Sequence, residues 1–335
     1  MPLINILVSL LPVFLVLLAL IFLDSFKLIR FQSVLWAILI GCLAAEVSLL
    51  INLYMFPFLS LDSSLVRRYA APFTEECLKA VFIVYMIRSN RIGFMVDAAI
   101  YGFAVGSGFS FIENVYYLQS VHDSNILLWI IRGFGTAVMH SGTTALFAII
   151  SKSLIDRHPN HRILIYIPGF ILAAALHSFF NHFLLGPVLL TLCQLIVLPL
   201  LILLVFQQSE TSLRNWLEIG LESDMHLLDM IVTGNIAETR VGKYLESLKN
   251  KFQGAVLADM LCYLRLHIEL TVRAKGMLMM KEAGFQLKPD PEIREKITEL
   301  KYLDKSIGKT GKLALFPFLQ LSSRDLWQLY ILSGS

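Results

Sequence analysis

From Leu3 to Phe206 the chain is a series of long apolar stretches separated by short clusters of charge. A hydrocarbon core of ~30 Å needs about 20 apolar residues as a helix. Seven runs approach or exceed that length: 3–23, 34–58, 70–88, 96–118, 127–150, 164–184 and 187–206. The last two form a hairpin across Gly186-Pro187, a natural helix break, and Pro199 is placed to kink the seventh. The first run lacks a basic segment ahead of it and exceeds the apolar length of a signal peptide, so it reads as a retained span. After Phe206 charges recur every few residues and apolar residues fall at helical spacing. Residues 255–280 predict a long amphipathic helix, and Pro289 and Pro291 precede another over 292–306. The pattern predicts an all-α protein: a polytopic transmembrane bundle of about seven spans over 1–206, then a cytosolic helical domain over 207–335.

Composition sharpens this. Apolar residues make up 56% and charged residues 16%, against ~25% charged in ordinary globular chains. A net charge of +3 spread along 335 residues gives no nucleic-acid-binding surface. Orientation follows from Lys and Arg in the short loops. Odd loops carry Lys27, Arg30, Arg88, Arg91, Lys152, Arg157 and Arg162; even loops carry only Arg67 and Arg68. The bias places the C-terminus in the cytosol and the N-terminus outside. Cys42, Cys77, Cys193 and Cys262 have no metal or redox spacing and read as small buried apolar residues. Gly308-Lys-Thr-Gly-Lys312 resembles a phosphate loop only superficially, because position 303 is Leu and Leu313 follows Lys312.

The informative residues are the ionisable ones inside the spans. Span three carries Glu75, Glu76 and Lys79; span four, Glu113 and Asn114; span five, Arg132 and His140; span six, His177, Asn181 and His182. Each acid or lysine at a helix centre opposes insertion by about 2.5–3.5 kcal/mol, so these groups must face one another or a wet cavity. Glu75 and Glu76 lie four and three residues before Lys79, which can therefore reach either. Phe109, Glu113 and Tyr117 form one stripe, His177 and Asn181 share a face, and His182 points away from it. Gly102 and Gly106 let span four pack closely. Glu46 and Arg132 read as structural or snorkelling residues. His122, His158, His161, His226 and His267 read as solvated surface.

Four elements in order, Glu75-Glu76-Cys-Leu-Lys79, Gly108-Phe-Ser-Phe-Ile-Glu113-Asn114-Val-Tyr-Tyr117, His140 and His177-Ser-Phe-Phe-Asn181, resemble the PrsW family of intramembrane proteases. That family is distantly similar to the CAAX-type and bacteriocin-processing membrane enzymes. The resemblance covers about residues 70–206. It implies hydrolysis of a peptide bond in or beside the membrane segment of an anchored protein such as an anti-sigma factor. It also implies a catalytic set of Glu75, Glu76, Glu113, His140, His177 and Asn181, supported by Lys79, Asn114 and Tyr117. Glu113 stands where the CAAX-type enzymes carry histidine, so their mechanism does not transfer directly.

The residues argue for the same chemistry. Hydrolysis needs a base for water, an oxyanion stabiliser and a proton for the leaving amine. Glu75 or Glu76 supplies the base, His140 or Glu113 orients the water, and His177 and Asn181 are placed to donate to an oxyanion. The alternative is Zn2+ held by His140, His177 and Glu113 with one open position, although His-Glu-x-x-His is absent. Gly106-Ser107-Gly108 suits close helix packing better than a serine nucleophile, and Asp97 has no partner for an aspartyl dyad. Two other classes compete: a proton- or ion-coupled transporter using the same groups, and a non-catalytic signalling scaffold. No inverted repeat favours the transporter. The cytosolic domain implies a partner that the sequence does not identify.

Overall fold

The computed structural model describes residues 3–23, 29–120, 126–157, 163–182, 186–283, 285 and 290–319. Lys27, His122, His158, His161, Arg162 and Pro289 lie outside the described residues. Every regular element in this range is a helix, and the chain divides into two compact units, Met1–Ser209 and Glu210–Ser335.

The first unit contains α1 (Leu3–Leu23), α2 (Phe31–Leu50), α3 (Ala71–Arg88), α4 (Met95–Ser120), α5 (Ala137–Arg157) and α6 (Ile167–Asn181), with the start of α7 (Pro187–Val232). Proline opens three of them: Pro72, Pro168 and Pro187 stand in the first turn, where a missing N–H costs nothing. Three π-helical turns adjoin these helices. Ile51–Met55 extends α2, Val66–Ala70 leads into α3, and Ile131–Thr136 leads into α5. Such wide turns are frequent at functional sites. Arg132 lies in the third.

Among the described residues, four helical stretches are long and apolar enough to cross a membrane: Phe31–Phe58, Met95–Ser120, Ala137–Arg157 and Ile163–Asn181. The protein is therefore a polytopic, all-α membrane protein. α3 carries Glu75, Glu76, Lys79 and Arg88 in 18 residues, and that charge keeps it out of the group. α7 runs without interruption to Val232, well past the expected end of the seventh span at Phe206.

α4 is the axis of the first unit, in contact with α2 on one side and α5 on the other. Glycine makes this possible. A Cβ on Gly41 or Gly108 would collide with the facing backbone of α4 or α2, and one on Gly102 or Gly106 with that of α5. The Gly102/Gly106 spacing thus does what the sequence suggests. Ser107, between Gly106 and Gly108, is buried and donates to the Phe103 carbonyl (2.7 Å), a packing role. Leu17, Val34, Ile83, Met86, Ile100, Phe103 and Phe147 fill one half of the bundle. Asp97 belongs to that end and accepts from the Gly93 and Phe94 N–H groups. Glu75, Glu76, Lys79, Glu113, His140 and His177 lie together away from that apolar cluster.

The second unit includes α8 (Arg240–Ser247), α9 (Gly254–Glu282) and α10 (Pro291–Leu319). Leu264, Leu270 and Ala274 of α9 share a core with Ile293, Ile297, Leu300 and Ile307 of α10. Gly308 (φ 63°) kinks α10, and Lys309-Thr-Gly-Lys312 continues as helix beyond the kink. Two expectations fail. His267 is buried at 3% exposure, because it lies on the face of α9 that packs on α10 rather than on a solvated one. None of the four cysteines is fully buried: Cys42 and Cys77 are half-buried, and Cys193 and Cys262 are exposed on helix faces turned away from the packing.

Candidate active site

Four helices carry the candidate groups, with Glu113 coming from α4. α3 supplies Glu75, Glu76 and Lys79, α5 supplies His140, and α6 supplies His177. Glu76, Lys79, His140 and His177 are each at most 2% exposed. Lys79 chooses Glu76 over Glu75: its Nζ donates to Glu76 Oε1 at 2.6 Å and stands 3.2 Å from His140 Nδ1 and 4.8 Å above the Phe109 ring. The same Glu76 oxygen accepts from Thr143 Oγ1 (3.2 Å) and His177 Nδ1 (2.9 Å). With three donors on one oxygen, Glu76 is a fixed acceptor that orients its neighbours.

Glu75 differs. Its Oε2 lies 3.7 Å from His177 Nε2 and it lines a cavity of about 470 Å3. The two imidazoles meet edge to face at 4.7 Å, and His140 Nε2 pairs with Glu113 Oε2 at 2.6 Å. Glu113, His140, His177, Tyr117 and Asn181 also line the cavity. Asn114 is buried on α4 and lies outside the lining. Asn181 Nδ2 donates to the Arg67 carbonyl (3.1 Å), which ties its amide to the turn ahead of α3. His182 turns away and meets the Tyr69 hydroxyl at 3.0 Å.

Hydrogen-bond logic assigns the protons. An ammonium can only donate, so His140 Nδ1 accepts from Lys79 and the ring proton sits on Nε2, facing Glu113. A carboxylate oxygen can only accept, so His177 carries its proton on Nδ1 and turns Nε2 toward Glu75. The orienting carboxylate behind His177 is the arrangement that tunes metal-ligating histidines.

Several contributors escaped the sequence reading. Ser48 and Asn52 of the α2 stretch line the cavity, as do Arg67 and Tyr116. Ser48 and Asn52 stand four apart in an apolar run, a signal that was readable. Thr143, one turn after His140, looks like any helix threonine until Glu76 is placed beside it.

Glu75, His140 and His177 each offer one ligand atom, and these atoms lie within 4.8 Å of one another. Two imidazoles and a carboxylate are a donor set that catalytic zinc accepts with a position left open. Formal charge agrees in sign: Glu75, Glu76 and Glu113 outnumber Lys79 and the cavity-lining Arg67, which favours a cation there. The residues fit a metal. Glu75 and His177 face the position directly, and His140 would free its Nε2 by passing that proton to Glu113, 2.6 Å away, while its Nδ1 takes one from the Lys79 ammonium, 3.2 Å away.

No curated protein and no solved structure matches the chain. The model of the PrsW family intramembrane metalloproteases matches residues 30–206, more than half of the chain, and the protein belongs to that family.

Proposed function

We propose that this protein hydrolyses a peptide bond in or beside the membrane segment of an anchored protein, with Glu75, Glu113, His140 and His177 as the reacting groups around a Zn2+ site. The observation that carries the reading is the convergence of Glu75, His140 and His177 from three helices to within 4.8 Å, inside a membrane-spanning bundle. Lone buried acids and histidines that merely join helices have no reason to leave a carboxylate and two imidazoles facing a shared cavity. When bound, the metal supplies a Lewis acid and a water acidified toward neutral pH.

The protein's own groups supply the rest. Glu75 faces the cavity and holds the metal or takes a proton from water. His177, oriented by Glu76 from behind, presents Nε2 to the same space. With His140 turned to the metal through Nε2, Glu113 would hold the proton it took from that nitrogen, and this carboxylic acid suits donation to a leaving amine. Tyr117 is placed to contact substrate, while Lys79, Thr143 and Asn181 hold the frame. PrsW-family membrane proteases generally act on membrane-anchored proteins, and an anti-sigma-factor-like substrate is the class proposed here. We further propose seven spans over 1–206 with the N-terminus outside, and a cytosolic domain over 207–335 that meets a regulatory partner.

The test is cleavage of a single-span substrate per molecule of folded protein, with zinc content measured alongside. Glu75→Gln and His177→Ala are expected to lower cleavage by about 100-fold or more and to lose zinc. Normal cleavage by both would sink the assignment. Ion flux in liposomes without cleavage would favour the transporter.

A further inference from the structure

The seams around the cavity are closed in unlike ways. α4 is zipped to α2 and to α5 by glycines whose backbones touch the facing helix, so those seams cannot part without separating main chain from main chain. The seam between α3 and α6 is different. On its buried side His177 Nδ1 of α6 bonds Glu76 Oε1 of α3 (2.9 Å), and on its exposed side the seam is held by side chains at the end of α6 on the π-helical turn ahead of α3. Ser178 Oγ donates to the Arg68 carbonyl (2.5 Å), Asn181 Nδ2 to the Arg67 carbonyl (3.1 Å), and His182 Nε2 meets the Tyr69 hydroxyl (3.0 Å). All three contacts are exposed, and neutral hydrogen bonds of this kind exchange readily for others.

The outward flank of the same seam is a groove of about 540 Å3 between Tyr69 and Phe73 on one wall and Ala174, Ala175 and Phe179 on the other. The end of α6, with the His182 that follows it, therefore has two faces. His177, Phe180 and Asn181 look into the cavity; Ser178, Phe179 and His182 look into the groove.

We propose that the α3–α6 seam is the entrance by which the membrane segment of a protein substrate reaches the cavity, with the groove as its docking surface and Ser178, Asn181 and His182 as the latch. The occupant follows from the surface and its continuity with the site. The walls are apolar, and Phe73 and Phe179 are 55% and 43% exposed, as suits a face turned to hydrocarbon. Ala174 and Ala175 let another helix approach closely. Opening the latch also frees acceptor capacity on the Arg67 and Arg68 carbonyls. A segment that must unwind to be cut exposes N–H groups that need such acceptors.

The inference rests on the hydrolase reading, and its test separates the two. Full-length protein in liposomes is given two substrates with the same cleavage sequence, one carrying a membrane span and one a short soluble peptide. Ala175→Trp fills the groove. Tyr69→Cys with His182→Cys, joined by a short bismaleimide after the four native cysteines are changed to serine, bridges the seam. Each is expected to lower the ratio of span-bearing to soluble cleavage by about tenfold or more. Val81→Trp, 69% exposed on α3 away from the groove, is expected to leave the ratio unchanged. An unchanged ratio in both the filled and bridged proteins, or equal loss of both substrates, overturns the entrance. Failure of the parent protein to cut either substrate overturns the hydrolase reading itself, and the entrance with it.

Discussion

Adjacent residues on a helix point about 100° apart, and that rotation separates Glu75 from Glu76. Glu76 turns into the protein, where Lys79, Thr143 and His177 all reach one of its oxygens; Glu75 turns into the cavity. Their glutamine variants should fail differently. Glu75→Gln keeps the fold and loses chemistry. Glu76→Gln strands the buried Lys79 ammonium, at a cost of about 3–5 kcal/mol, so folded yield and thermal stability should drop together with cleavage. A Glu76→Gln protein of parental stability would show that Lys79 has another counter-charge. The proton placement is open to measurement too. Nitrogen-15 NMR of the full-length, metal-free protein should find His140 protonated on Nε2 alone and His177 protonated on Nδ1. Finding His140 protonated on Nδ1 would mean that Lys79 does not act as its donor.

At the scale of elements, the site depends on how closely α4 and α5 approach. Gly106 touches α5 at the His140 carbonyl and the Ser141 backbone. Gly106→Ala must push that turn outward, at about 1–3 kcal/mol, and carry the His140 imidazole away from Glu113. The expected result is a modest fall in thermal stability with a disproportionate loss of zinc and cleavage; parental behaviour in all three would show that α5 yields elsewhere. In the second unit, α9 and α10 enclose His267. Burial first, and the Lys312 ammonium second, push its pKa down to about 4. Tyr263, at 6.1 Å, is its ring neighbour on α9, while Asp304 faces Lys312 on α10. The unfolded imidazole titrates near ~6.5, so between that value and about 4 the unfolded form binds the extra proton. Stability from this group is complete above ~6.5 and falls as pH drops, by up to about 3 kcal/mol. The protection factors of amides along α9 and α10 of the full-length protein, observed rates divided into the intrinsic base-catalysed ones, should therefore fall between pH 7 and pH 5. His267→Gln should flatten that dependence, and an unaltered slope in the variant would assign it to another group.

For the whole molecule, the loop charges predict a cytosolic signal from a reporter fused after Ser335 and an external one at His122; opposite signals at both would invert the proposed orientation. The sequence by itself determined the class, because inserting acids and histidines into hydrocarbon is costly enough that Glu75, Glu76, Lys79, Glu113, His140 and His177 must share a polar interior. It also determined, through helical periodicity, that Phe109, Glu113 and Tyr117 share a face and that His182 leaves the face of His177. Its signals are local: spacing along one helix says which residues are neighbours on that helix and nothing about the helix opposite. Which glutamate takes Lys79, which one faces the cavity, that Thr143 and Asn52 belong with the site and that His267 is buried are matters of contact between helices. Only the tertiary structure decided them, because hydrogen bonds between helices are set by interhelical approach, here the glycine-to-backbone packing of α4, which no periodicity along a single segment encodes.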